Sequence, residues 1–198
     1  MSDIIYTTYK EKNGNRKLKI YREEYPEDPR EQDNLGKMIC FHKHYNLGDK
    51  HDIKSNSFSS WLDIEDYLRK ELSAVIILPL YLYDHSGITI STSRNHLYND
   101  YWDSGQVGFI YVDKETIKRE KLKREEAIEI LEDEVNVYDH YITGEVYSFR
   151  LVEETYDRYY NCVLEKVIDE CSGFYGSDFY KNGIFDSAGI NIDDFEEE

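Results

Sequence analysis

The chain has 198 residues, a third of them charged, and a formal net charge of −17 with a pI near 4.7. That length fits one domain over residues 1–198 with a buried core, and the acidity argues against direct binding to nucleic acid or an acidic membrane. The longest apolar run, Ala74 to Leu82, contains Pro79 and is too short to cross a bilayer.

Ile4–Tyr9 and Lys17–Tyr25 read as strands of a hairpin whose turn is Lys12-Asn13-Gly14-Asn15, because Asn-Gly favours the positive φ angles of such turns. Tyr25-Pro26-Glu27-Asp28-Pro29 breaks the pattern, and a polar loop runs to Gly36. Met38–Tyr45 is a further short strand, followed by loop to Ser57. Ser59 or Ser60 caps a helix to about Leu72, with Trp61, Leu62, Ile64, Tyr67 and Leu68 as its apolar stripe. Leu78–Val112 holds the densest apolar material, β-branched and aromatic runs separated by Asp-His-Ser-Gly and Asp-Ser-Gly turns, and is the expected middle of a sheet. Asp113 caps a second helix from Lys114, with a break expected near Lys123. Glu134–Tyr141 and Glu145–Val152 alternate in strand fashion around Ile142-Thr143-Gly144, which predicts another hairpin.

Asp157–Asp169 is the last long strand expected, with Tyr160, Cys162, Leu164 and Ile168 toward the core. Cys171-Ser172-Gly173-Phe174-Tyr175-Gly176 turns the chain, and a frayed tail begins at about residue 191. Strands dominate and hairpins outnumber crossover units. The expectation is an α+β fold with a largely antiparallel mixed sheet and two main helices.

Catalytic motifs are scarce. His42-Lys43-His44 places two imidazoles on one strand face near Asp49 and His51, but nothing completes a metal-ligand pattern. Asp84-His85-Ser86 contains the residue types of a hydrolytic triad in direct succession. Neighbours on an extended chain point to opposite faces, so a turn is the preferred reading. Asp84 and Asp103 are preferred as turn residues, although they lie where they could meet. Together with His44, Asp49 and His85 they define the alternative site, that of an enzyme or of a ligand- or metal-binding protein. Cys171 sits in an acidic segment, which raises a thiol pKa and opposes a reactive thiolate. No dinucleotide fingerprint or phosphate-binding loop occurs, and no catalytic residue, metal or cofactor is assigned.

The acidic surface is better defined. Residues 1–124 carry 20 Lys+Arg and 20 Asp+Glu, whereas residues 125–198 carry 4 against 21, so the whole excess falls in the acidic segment 125–198. At about 3.6 residues per turn, Glu125, Glu126, Glu129, Glu132 and Asp133 share roughly a third of a helix circumference. Glu153, Glu154 and Asp157 follow on the next strand. These eight are the expected partner-binding residues, as rows of carboxylates interleaved with some of the chain's 19 tyrosines.

The runs His42-Lys43-His44-Tyr45-Asn46-Leu47-Gly48-Asp49, Leu78–Gly87, Trp102–Gly108, Tyr138–Tyr147 and Cys171–Gly176 resemble, as a set, an uncharacterised family of small bacteriophage and mobile-element proteins, mainly of Gram-positive bacteria. The resemblance spans about Leu35 to Gly176. It implies a mobile-element protein working inside a bacterial host, often beside accessory genes that counter host defences. It implies no activity or catalytic residue. In character alone the chain is also similar to acidic anti-CRISPR and anti-restriction proteins, several of which imitate DNA. The expected partner is therefore a basic nucleic-acid-binding protein, a CRISPR effector or restriction enzyme. The expected location is the host cytoplasm, since Met1-Ser2-Asp3-Ile4 lacks the basic and apolar regions of a signal peptide.

Overall fold

A computed structural model describes residues 4–85, 87–93 and 104–198. In chain order its main elements are β1 (Ile5–Glu11), β2 (Arg16–Arg22), β3 (Lys37–Cys40), α1 (Trp61–Glu71), β4 (Ala74–Asp84), β5 (Ile88–Ser91), β6 (Ser104–Asp113), α2 (Lys114–Glu120), α3 (Arg124–Ile142), β7 (Val146–Asp157), β8 (Cys162–Tyr175), α4 (Ile184–Ser187) and β9 (Phe195–Glu197). The fold is α+β, and every strand pairing among the described residues is antiparallel. In place of the one sheet expected there are two, and the chain divides into two compact units, each with its own sheet. One comprises the residues up to Glu27 and from Gly144 onward; the other is Asp28–Thr143.

The first unit is a five-stranded sheet in the order β8-β7-β2-β1-β9. β1 and β2 form the predicted hairpin, and β2 then pairs with β7 from Arg16↔Glu153 to Arg22↔Tyr147. Leu18, Ile20, Phe149 and Leu151 pack beneath Phe179, Ile184 and Phe185, and Phe195 of β9 joins this core. The tail predicted to fray from about 191 is thus an ordered strand, because Phe195 gains a buried apolar site and Glu196 and Glu197 lie opposite β1.

The second unit is a sheet in the order β3-β6-β4-β5, with β6 and β4 in its middle as their composition predicts. α3 covers one face through Ala127, Leu131, Val135 and Tyr138, which meet Met38, Ile76, Leu80 and Ile110. α1 covers the other face, where Ile64 and Leu68 meet Ile39, Phe109 and Tyr111. Burial on both faces explains why β4 reads as an almost continuous apolar run rather than an alternating one. A Cβ on Gly108 would stand 1.9 Å from the Ile39 carbonyl oxygen, so only glycine lets β3 and β6 approach this closely.

The expected caps are present: Ser60 Oγ accepts from Asp63 N at 3.2 Å, and Asp113 Oδ1 accepts from Glu115 N and Thr116 N at 2.8 and 2.9 Å. Lys121 takes φ +55° and makes the predicted break between α2 and α3. Among the described residues no helix is long and apolar enough to cross a membrane.

Three strand assignments change. Glu134–Tyr141 continues α3, because Leu131, Val135 and Tyr138 keep helical spacing into the core; the alternation of Val135 and Val137 is incidental. The expected hairpin at Ile142-Thr143-Gly144 is instead the end of that helix. There Thr143 Oγ1 donates to Asp139 O at 2.8 Å, and Gly144 has the left-handed φ of +72° that commonly follows a helix. Residues 157–169 split around a turn in which Asp157 Oδ1 accepts from Tyr159 N and Tyr160 N, and the Cys171–Gly176 turn mostly belongs to β8. Tyr160, Cys162, Leu164 and Ile168 do not face the core; they are exposed on an edge strand or its turn. β3 also ends at Cys40, short of the predicted Tyr45.

Candidate functional site

α3 presents the carboxylate row the sequence predicts. Its buried stripe recurs at Ala127, Leu131, Val135 and Tyr138, which turns Glu125, Glu126, Glu129, Glu132 and Asp133 to the opposite side, and all five are exposed. Glu126 helps cap the helix, its carboxylate accepting from Lys123 N at 2.8 Å and lying 3.7 Å from the Lys123 ammonium. Glu125, Glu129, Glu132 and Asp133 make no ion pair among the described residues. Five carboxylates within nine helical residues give about one charge per 2.7 Å of axis, between the ~1.7 Å of duplex DNA counted over both strands and the ~3.4 Å of one strand.

The row is held by a network of partners distant in sequence. Glu134, on the flank of the buried stripe, accepts from Leu35 N at 2.6 Å, from Gly36 N at 3.2 Å and from Arg30 Nη1 at 3.0 Å. The Arg30 side chain is only 3% exposed. Its Nε and Nη2 bind the two oxygens of Asp49 at 3.0 and 2.9 Å, while Asp49 Oδ2 also accepts from Met38 N at 2.7 Å. Burial opposes the Arg30 charge, but the hydrogen bonds and charges of Asp49 and Glu134 outweigh it and hold its pKa above the ordinary value. Asp139, one turn further along, accepts from Thr89 Oγ1 and Ile90 N, each at 2.7 Å, and ties α3 to β5. A sequence signal did exist: Glu134 is the one acid of the row's neighbourhood that falls beside Leu131 and Tyr138 on the helical wheel.

The three expected acids of β7 behave differently, and they belong to the other compact unit. Glu154 is bound by Lys17 at 3.2 Å, and Asp157 is occupied in the turn before β8. Glu153 lies across from Arg16 on β2 and Lys166 on β8. Lys19 likewise holds Glu165, at 2.6 Å, and Lys17 also reaches Glu198, at 3.1 Å. The acidic C-terminal strands therefore flank the basic N-terminal hairpin. The charge contrast along the chain largely disappears between the units: 10 Lys+Arg against 19 Asp+Glu in the first, 14 against 22 in the second.

The described residues of the alternative site are engaged locally. Asp49 is committed to Arg30 and to the Met38 amide. His42 Nδ1 accepts from His44 N and Tyr45 N, both at 3.3 Å, while its Nε2 lies 4.0 Å from Asp84 Oδ2. His44 and His85 are exposed, and His85 N donates to Gly87 O at 3.1 Å in the turn expected there. Ser86 and Asp103 lie outside the described residues. Among the described residues no group of three His, Cys, Asp or Glu side chains is placed to hold a metal ion.

A cleft of about 1290 Å³ opens on the first unit, with Tyr6, Tyr21, Arg150, Glu170 and Cys171 in its wall. Arg150 pairs with Glu170 at 3.1 Å and lies 5.5 Å from the centre of the Tyr21 ring, and the described wall contains no histidine to serve as a base. Cys40 is buried, and that burial pushes its thiol up to about 12, which opposes a reactive thiolate.

Compared with protein-family models, curated proteins and solved structures, the chain gives no significant match to any of them.

Proposed function

We propose that the chain is a non-enzymatic binding protein that sets the α3 carboxylates into the basic nucleic-acid channel of another protein. Following the resemblance to phage and mobile-element proteins, the partner is a host defence nuclease, a CRISPR effector or restriction enzyme, and the setting is the bacterial cytoplasm. The observation that carries the reading is the row Glu125, Glu126, Glu129, Glu132 and Asp133. It is exposed, almost without internal counter-ions, and anchored by a buried network on the opposite flank. Fixed carboxylates at near-DNA spacing attract a groove built for phosphates, and exposed ion pairs of this kind weaken as salt rises. Glu153 is a secondary contact at most, and Glu154 and Asp157 contribute less because each already has a partner in its own unit.

The test is a fourfold variant, Glu125→Lys, Glu129→Lys, Glu132→Lys and Asp133→Lys, which leaves the Glu126 cap in place. Purified CRISPR effectors and restriction enzymes are assayed for inhibition across a salt series, with circular dichroism as the folding control. Inhibition by the native chain that weakens with salt and vanishes in the folded variant is expected. Equal inhibition by both proteins would sink the mimicry.

A further inference from the structure

We propose that the cleft alongside β3 binds a small phosphate ester bearing hydroxyl groups, of sugar-phosphate or nucleotide size. The cleft has a volume of about 740 Å³, within the usual range of ligand sites, and its described wall is the segment 40–56 of the second unit. That segment leaves β3 and returns to it. Gly48 pairs with Ile39, and Asp49 N donates to Met38 O at 2.7 Å. Gly48 has φ +70°, and a Cβ there would stand 2.6 Å from the Met38 carbonyl oxygen, so glycine is required where the chain comes back. Gly48 N also donates to the Tyr138 hydroxyl at 2.8 Å, and Leu47 is buried. These contacts shape the cleft before a ligand arrives, which lowers the cost of binding.

Charge selects the ligand. Lys43, Lys50 and Lys54 line the cleft, are exposed, and make no ion pair among the described residues. The one acid of the described wall, Asp49, is already bound by Arg30. The cleft therefore carries three uncompensated cations in a unit that has 22 acids against 14 bases. Three ammonium groups suit a phosphate or diphosphate, with its several charged oxygens, better than a single carboxylate. The acidity of the surrounding surface repels a polyanion that extends beyond the cleft, which favours a short ester over a nucleic-acid strand.

His51, also in the wall, adds an independent observation. Its Nε2 lies 3.1 Å from Cys40 O; a carbonyl only accepts, so Nε2 carries the ring proton and Nδ1 is left as an acceptor. Nδ1 is buried and has no hydrogen-bond partner among the described residues. Buried polar atoms are nearly always satisfied, by protein, by water or by a ligand. A hydroxyl of the bound ester donates to Nδ1, directly or through one water, while its phosphate sits among the lysines. Phe41, edge-on to the His51 ring at 5.1 Å, and Ile53 give the carbon skeleton an apolar wall.

The probes are adenosine diphosphate and ribose 5-phosphate, added without metal to the full chain. Sulfate, an anion with no donor, and a thymidine oligonucleotide, an extended polyanion, serve as controls. Calorimetry is expected to show saturable binding of at least one ester, and NMR to show shifts at the amides of residues 41–56 and at His51 Nδ1. Lys50→Met with Lys54→Met should weaken that binding at least about tenfold, because two charge-assisted contacts are lost. Lys114→Met with Lys118→Met, exposed lysines of α2 outside the cleft, should leave it unchanged. No saturable binding of either ester, an equal effect of the α2 pair, or sulfate or the oligonucleotide binding as tightly as the ester overturns the proposal. The comparison of ester with sulfate on the native chain decides the matter even if a variant does not fold. The α3 carboxylates have no part in this measurement, so its outcome is separate from that of the nuclease assay.

Discussion

Replacing Arg30 with methionine removes a buried cation from between two carboxylates that cannot retreat. Asp49 is held by the Met38 amide, and Glu134 by those of Leu35 and Gly36, so both charges stay in place when the guanidinium is lost. Breaking a buried ion pair by deleting one partner costs about 3–5 kcal/mol, against well under ~1 kcal/mol for an exposed pair. Arg30, 3% exposed, belongs with the former; Lys70, which is 70% exposed and 2.9 Å from Asp66 in the same unit, belongs with the latter and supplies the control. Urea unfolding followed by fluorescence of Trp61, which packs beside Phe109 in the second unit, should show the midpoint falling by roughly 1–3 M in Arg30→Met. Lys70→Met should leave it within experimental scatter. Glu134→Gln should cost less, about 1–2 kcal/mol, since the amide oxygen still accepts from one of the two backbone N–H groups. A loss below about 1 kcal/mol in Arg30→Met would refute the idea that this network anchors α3.

The C-terminal strand offers a second test. Phe195 is buried and has the Arg16 guanidinium 5.7 Å from its ring centre, so Phe195→Ala should destabilise the first unit by about 3–5 kcal/mol, whereas a frayed tail would tolerate it. Limited proteolysis with mass spectrometry of the β7–β8 fragment reads the difference. A third test is alkaline. Burial raises the Cys40 thiol from 9.0 to about 12, and burial also raises the Tyr138 and Tyr147 phenols from 10.0 to about 12. Groups raised on folding contribute stability that is complete below their unfolded values and lost as pH climbs toward the folded ones. The urea midpoint should therefore hold to about pH 9 and fall steadily toward pH 12. A flat profile over that window contradicts the burial of these three groups.

Much of the architecture was legible because local signals and tertiary packing agree. The Asn-Gly hairpin, the Ser60 and Asp113 caps, the break before α3 and the doubly buried β4 and β6 all follow from residue chemistry. The misreadings share one physical cause, in that local pattern does not specify what covers a residue. Val135 and Val137 alternate like a strand, but Tyr138 and Leu131 find the sheet face only if the chain stays helical. Leu164 and Ile168 read as core positions, yet both are exposed on β8. The acids of α3 were legible as a row because helical spacing makes neighbours of residues close in sequence. The fate of Glu154 and Glu165 was not, since their counter-ions Lys17 and Lys19 lie more than a hundred residues away.

That separation has a consequence for biosynthesis. β2 has no sheet partner apart from β1 until β7 has been made, and β1 lacks β9 until the chain has passed Phe195. The whole second unit, Asp28–Thr143, is translated in between and can close its own core first. During that interval the β1–β2 hairpin, with six Lys+Arg and one Glu between Lys10 and Arg22, stands without the acids that later flank it. Its lysines gain their counter-ions only when β7, β8 and the chain end arrive with Glu154, Glu165 and Glu198. The acidic end of the chain thus neutralises its basic beginning only after the whole second unit has been made.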